Sequence, residues 1–130
     1  MTHPLKQTLE MKTITKKSPK KSKEVFKIVA ERAGHYCEVC GLPEQSDMAF
    51  HHRKLRSRGG KDTPSNLVRI HHGCHNLNTN SIHLNPKASL AKGHMVPSWA
   101  EPEDYGFAKP DGTVVLLQND GTVILTKEGS

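Results

Sequence analysis

Two clusters of metal-ligating side chains, "CEVC" at residues 37–40 and "HHGCH" at 71–75, constrain this chain more than any other feature. A structural zinc ion takes four ligands in a tetrahedron, and two short turns of the form ligand-x-x-ligand supply them. Cys37 and Cys40 form one such turn. The chain has three cysteines, so the second turn cannot be a cysteine pair. Counting back from Cys74 with the same two-residue gap lands on His71, which predicts a Cys3His site of Cys37, Cys40, His71 and Cys74. Only 34% of the 130 residues are hydrophobic and 5% aromatic. A core that small benefits from a metal staple, because zinc bound to the native state contributes directly to folding. The alternative is a coincidental pair of buried cysteines at 37 and 40. An odd cysteine count and C-x-x-C spacing fit a disulfide framework poorly.

No apolar run approaches the roughly 18 residues needed to cross a bilayer, and the N-terminus lacks the apolar stretch of a secretory signal. These features predict a soluble, cytoplasmic protein without a membrane partner. The net charge of +6 is unevenly spread. Residues 1–23 hold seven lysines against Glu10, and residues 51–75 hold Arg53, Lys54, Arg56, Arg58, Lys61 and Arg69 against Asp62 alone. Basic stretches of this density attract phosphate backbones without reading sequence, which predicts DNA as the partner. A solvated tail and a solvated loop are the plainer explanation.

Residues 1–21, lysine-rich and poor in apolar side chains, are expected to be a disordered basic tail. A helix begins near Ser22 and stops at Gly34. "MAFHHRKL" and "NLVRIHH" read as strands, separated by the irregular "RSRGGKDTPSN". A further helix is expected over residues 86–92, with Gly93 as its cap. "DGTVVLL" at 111–117 recurs as "DGTVILT" at 120–126, which predicts a β-hairpin closed at Asn119-Asp120-Gly121. Its simplest role is a structural appendage covering part of the core. The resulting division is a tail at 1–21, a metal-stapled domain at 22–100 and a hairpin extension at 101–130.

The run "CEVCG", then "AFHHRKLRSRGGKDTPSNLVRIHHGCH", resembles the HNH endonuclease family, in particular the small HNH proteins of bacteriophages and prophages. The likeness covers roughly residues 30–100, since "IHLNPKASLAKGHMVPSW" also looks like the tail of those proteins. It implies an α+β fold, the ββα-metal or His-Me finger, built around a catalytic divalent ion (Mg²⁺, Mn²⁺, Ni²⁺ or Zn²⁺) besides the structural zinc. It also implies a DNA endonuclease, nicking or cutting both strands, working beside a phage terminase in DNA packaging. On the matching positions His52 is the general base, Asn66 orients it, and His51 and His75 hold the ion. Arg53 stands next to His52 and would stabilise the phosphate, with Lys54, Arg56, Arg58, Lys61 and Arg69 contacting the DNA backbone.

Two features depart from simple expectation. Adjacent residues of a regular strand face opposite ways, so His51 and His52 share a site only if the strand bulges or ends there. Similar phage proteins carry another histidine four residues after the third signature histidine, where this chain has Thr79. The next is His83, eight residues beyond His75. On a continuous helix the two would lie about 12 Å apart, so His83 is a third ligand only if the chain between forms a loop. A zinc-stapled DNA-binding module without hydrolytic activity is the competing function, and RNA is a weaker alternative substrate.

Overall fold

The computed structural model describes residues 22–126. The basic tail at 1–21 lies outside the described residues. Helix α1 runs Ser22–Ala33, with Glu24 in its first turn and Arg32 in its last, the signs that suit the helix dipole. Val25 and Val29, one helical turn apart, are buried against Leu67, with Phe26 and Phe50 packed beside them. Gly34, at φ +69°, ends the helix, donating its N–H to the carbonyl of Ala30.

Strands β1 (Met48–His52) and β2 (Leu67–His71) pair antiparallel in an unbroken register from Met48 opposite His71 to His52 opposite Leu67. Alternation then sorts the side chains onto two faces. Ala49, Val68 and Ile70 face the main core. Phe50 and Leu67 face α1. β2 leads into a single π-helical turn, Gly73–Leu77, followed by a loop and helix α2, Pro86–Lys92. Pro86 suits a first helical turn, and Gly93 closes α2 at φ +73°. A side chain at Gly93 is excluded twice over, since a Cβ there would lie 1.6 Å from the carbonyl oxygen of Gly106.

The C-terminal part is a three-stranded antiparallel sheet of β3 (Phe107–Ala108), β4 (Val114–Leu117) and β5 (Val123–Leu125). Each Asp-Gly-Thr repeat is a turn. Asp111 accepts from the N–H of Thr113, Asp120 from that of Thr122, and both intervening glycines have positive φ. The expected β4–β5 hairpin is present, and the first repeat makes a second turn that adds β3. Phe107, Val115 and Leu117 share one buried cluster with Cys37, Ala49, Val68, Ile70, Ile82 and Met95. The sheet therefore helps to form the core that carries β1 and β2. Among the described residues, no helix is long and apolar enough to cross a membrane.

Candidate metal centres and their surroundings

The two predicted turns meet in space. The ligating atoms of Cys37, Cys40, His71 and Cys74 all lie within 4.8 Å of one another. The Sγ atoms of Cys37 and Cys74 are 3.9 Å apart, and Cys40 Sγ is 3.3 Å from His71 Nδ1. Donors at 2.0–2.3 Å from a shared tetrahedral ion stand roughly 3.4–3.8 Å apart, so the spacing matches a zinc site. The surroundings are organised for the same purpose. Cys37 Sγ accepts from the N–H groups of Cys40 and His71, and His71 Nε2 donates to the carbonyl of Pro43 at 2.8 Å, fixing Nδ1 as the free donor atom. Burial would push the Cys37 thiol up, yet the N–H groups of Cys40, His71 and Val39 bring it below its ordinary value. Cys74 is pushed up to about 12, first by burial and then by the neighbouring thiolates. Thiols crowded in this way are held together most readily by a cation.

A second cluster sits one residue along the chain. The ring nitrogens of His51, His75 and His83 also converge within 4.8 Å. His51 is 1% exposed, and its Nε2 donates to the carbonyl of His94 at 2.8 Å. Its Nδ1 is buried without a hydrogen-bond partner among the described residues. A buried nitrogen left unpaired is costly unless something occupies its lone pair. The Nε2 atoms of His75 and His83 face each other at 3.0 Å, which is close to the roughly 3.3 Å expected of two imidazoles on one tetrahedral ion. Burial lowers the His51 pKa to about 3, and burial together with the charges of His83, His72 and His52 lowers that of His75. Both rings stay neutral near pH 7, the state that binds metal. His83 reaches this cluster because the chain folds back after the π turn, its N–H donating to the carbonyl of His75.

His52 takes a different direction. β1 shows no bulge, so His51 and His52 leave it on opposite faces, and His52 stands outside the three-histidine cluster as the strand's last residue. Its Nε2 donates to Asp62 at 2.7 Å, and Asp62 also receives the guanidinium of Arg56. Asn66 is fully buried. Its Oδ1 accepts from the N–H of Lys54 at 2.6 Å, and its Nδ2 donates to the carbonyls of Lys54 and Lys61, each at 3.0 Å.

Residues 37–81 match the family model described as HNH endonuclease. This stretch is similar to HNH endonucleases. No curated protein and no solved structure matches the chain. The matched segment spans both ligand turns, the two adjacent histidines, Asn66 and His75, and ends before His83.

Around the matched segment the basic residues divide into two groups, and the expectation for Arg53 is corrected. Its side chain is wholly buried, and its guanidinium donates to the carbonyls of Gly93, Ser65, Pro102, Tyr105 and Gly106. With its donors committed to backbone and no exposed surface, Arg53 is a clamp joining β1 to the segment 93–106, and it cannot contact a phosphate. Burial lowers its pKa to about 9. Lys54 is corrected similarly, being 8% exposed with its Nζ on the carbonyl of Ala100. Arg69 pairs with Glu44 at 2.6 Å. Arg56, Arg58 and Lys61 are exposed on the loop beyond His52.

Two residues that the sequence reading left without a role belong to this neighbourhood. His94 supplies the carbonyl that orients His51, a contribution any residue's backbone could make, so its side chain carried no signal. Asp62 does carry a signal in the sequence, as the single acid in the basic run 51–75.

Proposed function

We propose that this protein is a metal-dependent nuclease that hydrolyses phosphodiester bonds of DNA. The observation that carries the proposal is the convergence of His51, His75 and His83, with His51 Nδ1 buried and unpaired. A divalent ion held there would neutralise charge on the scissile phosphate and stabilise the leaving oxygen. An all-imidazole donor set suits Ni²⁺ or Zn²⁺ better than Mg²⁺, which prefers oxygen. His52, which follows His51 at the end of β1, is the general base. Asn66 fixes the backbone beyond it. Arg56, Arg58 and Lys61 hold the DNA backbone without selecting bases. The four-ligand site of Cys37, Cys40, His71 and Cys74 holds structural zinc, which suits the reducing conditions of a cytoplasm. A phage terminase as partner extends this reading, and co-purification of the two would test it.

One observation favours the competing reading, a DNA-binding module without hydrolysis: β1 is unbroken, and His52 stands outside the three-histidine cluster. Supercoiled plasmid incubated with the protein and Ni²⁺, Mn²⁺ or Mg²⁺ separates the two. The nuclease reading expects relaxed or linear product, at least about 100-fold less of it with His52→Ala, and unchanged DNA affinity. Intact plasmid under all three ions would leave the binding module as the function.

A further inference from the structure

We infer that Asp62 is a positioning residue for His52, set in place by Asn66 and held on its outer side by Arg56. The inference rests on the reading of His52 as the base. A carboxylate only accepts hydrogen bonds, so the contact from His52 Nε2 to Asp62 Oδ1 places the proton of the neutral ring on Nε2. The lone pair is then on Nδ1, the nitrogen that would take a proton from water. The pair is shielded, with the side chains 22% and 20% exposed.

The buried amide of Asn66 sets the distance between these partners. It holds both backbone polar groups of Lys54, two residues after His52, and the carbonyl of Lys61, the residue before Asp62. One side chain therefore fixes where both members of the pair leave the backbone. Arg56 Nη2 lies 2.8 and 2.9 Å from the two Asp62 carboxylate oxygens and limits rotation of that group. At 67% exposure Arg56 is poorly placed to stabilise the fold, and the arrangement makes more sense as a device for aiming a ring. A plain surface ion pair would leave the tautomer of His52 unselected.

Asp62→Asn tests this, because its amide can present Nδ2–H to His52 Nε2 and so select the ring protonated at Nδ1. Long-range ¹H–¹⁵N spectra of the histidines are expected to show His52 protonated at Nε2 in the unaltered protein and at Nδ1 in Asp62→Asn. For plasmid cleavage, kcat should fall by roughly 100-fold in Asp62→Asn with KM and zinc content little changed, and Asp62→Glu should restore part of it. A His52 protonated at Nδ1 in the unaltered protein, or an Asp62→Asn variant within threefold of its kcat, overturns the inference. If the unaltered protein cuts no DNA with any divalent ion, the nuclease reading fails instead, and the tautomer alone decides whether Asp62 positions the ring. Should Asp62→Asn not fold, the spectrum of the unaltered protein still decides.

Discussion

Cys74 and His75 are consecutive, yet their side chains enter different clusters, Cys74 with Cys37, Cys40 and His71, and His75 with His51 and His83. The π-helical turn that carries both makes one short segment the shared wall of two candidate metal centres.

Loss of the four-ligand site should therefore be felt in both. Cys40→Ser is expected to release zinc and lower stability by several kcal/mol, since binding energy at a structural zinc site is folding energy. Circular dichroism during chelator titration checks this for the unaltered protein. Helical signal that survives complete zinc removal would show that the apolar core suffices.

Arg53 and Arg58 should behave oppositely. Arg53→Ala strands several buried carbonyls and opens a cavity, so a loss of about 3 kcal/mol or more is expected in urea denaturation. Arg58→Ala, on the exposed loop, should change stability by less than about 0.5 kcal/mol while reducing the salt dependence of DNA binding by about one phosphate contact. Equal stabilities for the two variants would contradict the clamp.

Acid should destabilise the metal-free protein. The folded pKa of His51 is about 3, below the unfolded value of 6.5, and burial also depresses His75 and His94. The unfolded chain thus binds more protons throughout that interval, so the stability present above pH 6.5 is lost progressively as pH falls toward 3. Melting temperatures between pH 7 and 4 check the direction, and His51→Gln should flatten the slope. A melting temperature that rises toward pH 4 would contradict neutral burial of these rings.

The parts of the molecule that were legible in sequence are those fixed by short-range rules. The gap of two between ligands placed both cysteine turns, and Asp-Gly-Thr marked the hairpin. The second use of that repeat leaves no local pattern, because its outer strand, Phe107–Ala108, is only two residues long. Arg53 could not be read locally. It sits in a run of basic residues resembling a phosphate-binding loop, and its carbonyl partners come from positions 65 to 106. His83 was readable only as a condition, that the chain after His75 loop back, and tertiary folding satisfies that condition.

If the three imidazoles hold a metal ion of their own beside the four-ligand site, the number of ions bound per chain reveals it. Titrating zinc-loaded protein with Ni²⁺ in a calorimeter should show one further ion per chain, bound at least about tenfold more tightly than Mg²⁺. In His75→Ala that event should disappear while the zinc remains. Absence of a second ion in the unaltered protein, or undiminished Ni²⁺ binding in His75→Ala, would show that the three rings are not a metal centre.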